Sequence, residues 1–328
     1  MKDINVIGID IGGTKTLAAL VRIGDGQILH RLLKPTNSDS PDLFVQGLID
    51  IIKEVLSIAC FARPVAIGIG TAGHVDLALG AVSSLNLGVS RLPLRRLLEE
   101  ASGLPVFIDN DCNAGAVGEM HYGAAKGKNH FGFLTVGTGV GVGLVLNGGI
   151  YHGKYNYAGE IGHVGIDFNG AKCKCGGWGC LENIASGPGM VELVKEELAK
   201  GTRSMLSGLE NITAKEVFAA AEQQDPLSVS IVQQAARALG YSIRNLNNLL
   251  DLELVVLGGG IPQAMPEVFV DYLKEYLADI SNRVNLAACP VAISELYPDS
   301  IVLGAARLVP KDLGSWCLSD EGDRDCGT

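Results

Sequence analysis

Four side chains able to hold a metal, His163, Cys173, Cys175 and Cys180, fall within a short stretch of this sequence. Thiolate sulfur and imidazole nitrogen are the ligands of a closed tetrahedral Zn2+ site, and a site with no open position is structural. The thiols are spaced C-x-C-x4-C, and Gly162, Gly165, Gly170, Gly176, Gly177 and Gly179 let the backbone turn the ligands inward. Two carboxylates, Glu160 and Glu182, bracket the set although zinc does not need them. A clip that fixes two acids near one another has the makings of a binding site.

Three glycine-rich turns each follow an apolar run: Asp10-Ile-Gly-Gly-Thr-Lys15, Gly137-Thr-Gly-Val-Gly-Val-Gly143 and Gly258-Gly-Gly260. Glycine there allows backbone N–H groups to approach and face an anion such as phosphate. Two common phosphate loops do not fit. A dinucleotide loop needs G-x-G-x-x-G opening a helix, whereas the second turn is G-x-G-x-G-x-G and opens a strand. A P-loop needs Gly-Lys-Ser/Thr, whereas the first turn reads Gly-Gly-Thr-Lys. Two hairpin turns gripping phosphates from opposite sides, with Asp10 beside the first, is another solution.

The elements that must carry these residues follow from pattern. Residues 4–10, 14–21 and 27–33 read as strands, and Ser40-Pro41 starts a helix that buries Leu48, Ile51, Ile52, Val55 and Leu56. Residues 64–70 form a strand with a loop at 71–74, 94–100 a helix, and 106–109 a strand delivering Asn110-Asp111 into a helix that runs to Gly123. The pattern then restarts. A strand at 131–136, a Gly turn and a strand at 140–146 repeat the opening topology, though hardly its sequence. After the cysteine loop come helices, including a capping box at Thr213–Glu216 and a long helix at 226–250. A strand at 253–257, a helix, a strand near 291–295 and a short helix from Ser300 close the chain, and a polar tail begins at Lys311.

Composition sets the class. A chain of 328 residues with 47% hydrophobic content and 43 glycines has material for two α/β domains. A net charge of −10 gives no support to a nucleic-acid partner. Of the eight cysteines three belong to the metal set and the rest are scattered, which fits a reducing cytoplasm better than a disulfide framework. Asp3 and Asp10 interrupt any N-terminal signal. The uncharged stretch 131–151 is long enough to raise the question of a membrane helix, but its seven glycines make it a buried hairpin, so no membrane association is expected.

Taken together, D-I-G-G-T-K at 10–15, D-N-D at 109–111, G-T-G-V-G at 137–141, G-E-I-G-H at 159–163 and C-x-C-G-x-x-G-C-L-E at 173–182 resemble the ROK family (repressor, open reading frame, kinase) of sugar kinases. The resemblance covers residues 4 to about 309. It implies two ribonuclease-H-like domains of the actin-like ATPase group, with ATP and sugar in a cleft between them. The small domain is expected at 1–112, completed by a C-terminal helix near 297–314, and the large domain at 113–296, with 315–328 as tail.

The resemblance also assigns roles. Asp111 is the expected catalytic base, because a sugar hydroxyl is a weak nucleophile whose proton a carboxylate must accept as it attacks the γ-phosphate. Its position also suits a helix cap. Asn110, Glu160, His163 and Glu182 match the family's sugar ligands, His163 giving one nitrogen to zinc and the other to a hydroxyl. Gly73 and Asn86 lie on loops that border the sugar in the family. Asp10 is expected to hold Mg2+ through water. Gly12, Gly13, Thr14, Thr138 and Gly139 would donate to the phosphates, Lys15 would help neutralise them, and Gly187, Gly189, Gly258 and Gly259 would flank the ribose and adenine.

The expected activity is ATP-dependent phosphorylation of a hexose at its 6-hydroxyl, with glucokinase as the first choice, in a homodimer or homotetramer. The alternatives are a kinase for N-acetylmannosamine, N-acetylglucosamine, allose or fructose, or a sugar-responsive transcriptional regulator of the same family. Such regulators carry an N-terminal helix-turn-helix, for which a strand beginning at Ile4 leaves no room, and the −10 charge argues the same way. An actin-like or chaperone-like ATPase leaves the cysteine loop and Asn110-Asp111 unexplained.

Overall fold

The computed structural model describes residues 4–59, 62–264, 266–284 and 290–310. The chain divides into two units, one made of Met1–Gly123, Gly153–Asn156 and Asp299–Thr328, the other of Ala124–His152 and Tyr157–Pro298.

In the first unit β1 (Asn5–Ile11), β2 (Lys15–Arg22) and β3 (Gln27–Pro35) are antiparallel neighbours. Helix α1 (Pro41–Ile58) leads to β4 (Pro64–Thr71), which pairs parallel with β1. A small antiparallel sheet of β5 (His74–Asp76), β6 (Ala81–Ser84) and β7 (Val89–Leu92) precedes α2 (Leu94–Ser102). Strand β8 (Val106–Asn110) then joins β4 in parallel, giving the order β3-β2-β1-β4-β8, and α3 (Asp111–Tyr122) follows without a gap.

The sequence explains these choices. Strand β1 is almost continuously apolar because both its faces are covered, whereas β3, at the sheet edge, buries only every second residue partly. Ile7, Ile9 and Ile11 pack with Ile67, Ile69 and Ile108 under Phe44, Leu48, Ile51 and Ile52 of α1. Helix α1 starts where Ser40 accepts the Leu43 N–H and Pro41 takes the first position, where its missing N–H costs nothing.

The second unit repeats the plan. Strands β9 (Phe131–Val136), β10 (Val140–Leu146) and β11 (Gly149–Ile150) are antiparallel. A long connection follows whose only regular piece is a 3-10 turn at Ile161–His163. Then come α4 (Glu182–Ala185), α5 (Gly187–Ala199), α6 (Ala214–Glu222) and α7 (Pro226–Leu250). Strand β12 (Leu254–Gly258) pairs parallel with β9; α8 (Gly260–Ala264) and α9 (Asp271–Val284) lead to β13 (Val291–Ile293), parallel to β12. The order β11-β10-β9-β12-β13 matches that of the first sheet, so the repeat of topology extends to all five strands. Its core gathers Leu134, Val136 and Val142 against Met190 and Val194 of α5 and Val232, Leu239 and Ile243 of α7.

The last helix, α10 (Ser300–Arg307), belongs to the first unit and crosses α3 closely. A Cβ on Gly304 would stand 1.6 Å from the Ala114 carbonyl oxygen, and one on Gly118 would stand 2.2 Å from that of Ser300. Only glycine allows that approach, and it fixes the helix whose first residue is Asp111.

The mixed α/β architecture with two ribonuclease-H-like sheets is thus the one expected. The stretch 131–151 is the β9–β10 hairpin with β11, and among the described residues no helix is long and apolar enough to cross a membrane. The expected loop at 71–74 is shorter, since β5 already begins at His74. The tail from Lys311, the far end of the expected 297–314 helix, and the end of the 291–295 strand differ in outcome: the strand stops at Ile293, and residues beyond 310 lie outside the described ones.

Candidate active site

In the first unit the chemistry sits at the ends of parallel strands. Asp10 is the penultimate residue of β1, opposite Gly70 of β4. The turn after β1 closes through a 3.0 Å bond from the Gly12 N–H to the Lys15 carbonyl. Thr36 ties it down from the end of β3, donating its hydroxyl to the Gly12 carbonyl at 2.8 Å and its N–H to the Thr14 carbonyl at 3.0 Å. Thr14 and Lys15 are exposed, and Asn86 lies against the turn, its Cβ 3.6 Å from where a side chain on Gly13 would begin.

At the head of α3, Asn110 is the cap: its side-chain oxygen accepts the Cys112 N–H at 2.8 Å, and its Nδ2 donates to the Gly73 carbonyl at 3.1 Å. An amide has two N–H donors and two lone pairs, so these bonds leave one of each for a ligand. Asp111 also accepts from Cys112 N–H, at 2.9 Å, but the cap position belongs to Asn110. Desolvation raises Asp10 to about 7, and the neighbouring Asp111 carboxylate adds to the rise. Two carboxylates that each disfavour the other's charge form an oxygen site suited to a hard cation.

Asp109 is the residue that sequence reasoning left without a role. Buried at the end of β8, it accepts the Asn110 N–H at 2.7 Å and the Asn113 amide at 2.9 Å, which holds the strand-to-helix corner in shape. A carboxylate ending the apolar run Val106–Ile108 was the available signal.

In the second unit, ligand atoms of His163, Cys173, Cys175 and Cys180 all lie within 4.8 Å of one another. The Cys175 and Cys180 sulfurs are 3.6 Å apart, and the Cys173 sulfur is 3.7 Å from His163 Nδ1. Donors about 2.3 Å from a tetrahedral ion would be separated by about 3.8 Å, so the spacing fits a closed metal site. Burial pushes the Cys180 thiol up to about 12, and its neighbours Cys175 and Cys173 add to this; thiolates gathered here call for a cation. The loop is shaped by a tight turn, with Cys173 N–H bonded to the Gly177 carbonyl at 2.8 Å, and by bridges pairing Gly165 with Cys180 and Lys172 with Trp178.

Because His163 turns Nδ1 toward the sulfurs, its other nitrogen faces away from them. Glu160 stands immediately before the 3-10 turn that ends at His163. Both are exposed. Glu182 opens α4, and its carboxylate accepts the Val140 N–H at 3.1 Å, beside the Gly137–Gly139 turn.

The glycines assigned to the nucleotide are differently engaged. Gly187 donates its N–H to the Gly137 carbonyl at 2.8 Å, and Gly189 donates to the Ser186 hydroxyl at 3.0 Å. Their N–H groups therefore support the fold. Gly259, with φ +88°, backs onto Val136 at the base of the β9–β10 turn, next to Gly258. The first unit thus gathers Asp10, Gly12, Gly13, Thr14, Lys15, Gly73, Asn86, Asn110 and Asp111. The second gathers the four candidate metal ligands with Glu160 and Glu182, and the turns containing Thr138, Gly139, Gly258 and Gly259.

Comparison with known proteins agrees with this equipment. The ROK family matches residues 6–312. A glucokinase of Halalkalibacterium halodurans is 36% identical over 326 residues, covering 96% of this chain and 98% of its own. The structure of a ROK family glucokinase from Streptomyces griseus, in complex with glucose and AMPPNP, superposes with a TM-score of 0.77 at 29% identity, covering 93% and 99%. A ROK family transcriptional regulator, a homologue of the E. coli MLC protein, gives 0.82 at 29% identity, covering 93% of this chain and 78% of the regulator.

Proposed function

The chain belongs to the ROK family, and from that premise we infer that it is an ATP-dependent sugar kinase whose leading substrate is glucose, phosphorylated at the 6-hydroxyl. The observation that carries this reading is the Asn110–Asp111 pair at the head of α3, a hydrogen-bonding amide beside a carboxylate in a polar corner built by Asp109 and Gly73. Asp111 accepts the hydroxyl proton as the sugar oxygen attacks the γ-phosphate, a step that contributes roughly 10²–10⁴-fold. Asn110, Glu160, His163 and Glu182 hold ring hydroxyls. Asp10 would hold Mg2+, which when bound offsets phosphate charge; His163, Cys173, Cys175 and Cys180 would hold a structural Zn2+ that keeps the loop in shape. The Gly12 N–H, expected to donate to phosphate, is taken by the Lys15 carbonyl, so the N–H groups of Gly13 and Thr14 after β1 and of Thr138 and Gly139 after β9 are the ones that would face the phosphates.

The test is ADP release over a panel of hexoses and N-acetylhexosamines, with 6-deoxyglucose included. Glucose is expected to be turned over, and 6-deoxyglucose to compete with it and accept nothing. Phosphorylation of 6-deoxyglucose would show that another hydroxyl reacts, and preference for an N-acetylhexosamine would replace the substrate. The likeness to a transcriptional regulator supports a second reading, sugar binding without phosphoryl transfer. Sugar binding with no ADP release from any sugar would favour it.

A further inference from the structure

The turn between β9 and β10 is pinned at both ends by one short segment. On its first side the Gly137 carbonyl accepts the Gly187 N–H at 2.8 Å; on its last side Val140 donates to Glu182 Oε2 at 3.1 Å. A single bond from Gly137 N–H to the Gly139 carbonyl, 3.0 Å, closes the turn internally. The two pins differ in kind. One is backbone to backbone, and the other is a carboxylate with, among the described residues, no lysine or arginine paired to it. Gly139 passes so near this carboxylate that a Cβ there would stand 2.8 Å from Oε2.

An anionic group beside a turn whose N–H groups are to meet phosphate is costly unless it does something there. Holding the Val140 N–H is that something: a hydrogen bond to a charged acceptor is stronger than one between neutral groups. We propose that Glu182 is a positioning residue for nucleotide, its carboxylate keeping the Gly137–Val140 turn in the shape that receives phosphate, in addition to any contact with sugar. The proposal rests on the kinase reading above. It makes Glu182 the link between the two halves of the reaction: a sugar hydroxyl donating to the carboxylate draws off part of its charge and eases phosphate in.

The reach of the side chain and its charge can be separated. Glu182→Gln keeps an oxygen that can accept from Val140 and removes the charge. Glu182→Asp keeps the charge and shortens the arm by one methylene, out of reach. Binding of Mg2+–AMPPNP to the full chain would be measured by calorimetry without sugar. The Gln variant, which keeps a weaker neutral bond but sheds the charge that opposes phosphate, is expected to bind within about two- to threefold of the parent, and the Asp variant about tenfold more weakly, the cost of losing the bond to Val140 altogether. Gly139→Ala, whose methyl displaces the carboxylate, is expected to weaken glucose binding severalfold in the absence of nucleotide. Equal AMPPNP affinity in parent, Gln and Asp variants would overturn the proposal and leave Glu182 a sugar ligand at most. A parent chain that binds no AMPPNP would instead overturn the kinase reading itself.

Discussion

The turns after β1 and after β9 stand at the same place in two sheets of the same strand order, yet they are held by different means. The first is secured by neutral neighbours, chiefly Thr36 just past the edge strand β3, and its charged groups stand at strand ends: Asp10 at the end of β1, Asp111 just past β8. The second is secured from the first residues of α4 and α5, through the Glu182 carboxylate and the Gly187 N–H, and the four candidate metal ligands with Glu160 sit on the long, mostly irregular connection before them. Strand ends are rigid because the ladder fixes them. A long irregular loop has little ladder of its own, and loops of this length inside a compact unit are uncommon unless they are functional. The contrast gives a reason for the proposed metal: the same scaffold would need a clip only where the candidate site leaves the sheet.

The largest effect is expected on the strand-end side. Asp111→Asn should fold and keep sugar affinity, since an amide still hydrogen-bonds, while turnover falls at least about a hundredfold. Near-normal turnover would make Asp111 part of the helix start alone and move the base elsewhere. On the loop side, Cys175→Ser should lower metal content and raise the KM for sugar by about tenfold, with less change in the KM for ATP, because the clip supports Glu160 and Glu182. Elemental analysis finding no zinc in the parent protein, purified without chelator, would remove the clip from the comparison.

The two turns also differ in electrostatics, and pH reads this. Asp10 is raised to about 7 from 3.8, by desolvation first and by Asp111 second. Between those values the native state holds a proton that the unfolded chain has lost, so stability falls as pH rises through that window and is level above it. Asp10→Asn removes the penalty. It should melt several degrees above the parent at pH 8 and close to it near pH 4, the difference being at most about 4 kcal/mol from the size of the rise. A gain of equal size at both pH values would mean that the carboxylate is not strained by its surroundings.

Much of this was legible in the sequence, and the parts that were not share a cause. Helix α7 was readable to its ends because Asp225, Pro226 and a regular apolar stripe all say the same thing locally. The hairpins were readable because glycine turns interrupt apolar runs, and the metal set because ligand type and spacing carry the chemistry. The sheet β5–β7 was missed: its strands are three or four residues long and mostly polar, and they exist because they pair with each other. The partners of Glu182, Gly187 and Gly189 were missed for a related reason. A bond from residue 182 to residue 140 leaves no mark in either local pattern. Asp109 lay in view within D-N-D, but only its bonds to Asn110 and Asn113 show that it holds the corner.

The smallest expected effect tests the neutral pin of the first turn. Thr36 donates its hydroxyl to the Gly12 carbonyl at 2.8 Å and shares a 2.8 Å contact with the Thr16 hydroxyl, so Thr36→Val keeps the shape and removes both. The backbone bond from Thr36 N–H to Thr14 survives the substitution, so the turn should keep its path. Two lost neutral hydrogen bonds, one of them to the buried Thr16 hydroxyl, cost about 1 kcal/mol each, which predicts a fall of several degrees in melting temperature and a rise of no more than a few-fold in the KM for ATP. Sugar affinity without nucleotide should not change, because Thr36 bonds to the turn assigned to phosphate and not to a residue assigned to sugar. That outcome, beside a roughly tenfold loss for Glu182→Asp, would establish that the two turns are supported unequally. If Thr36→Val instead weakens AMPPNP binding as much as Glu182→Asp does, the two pins support their turns equally, and the asymmetry drawn between the turns fails.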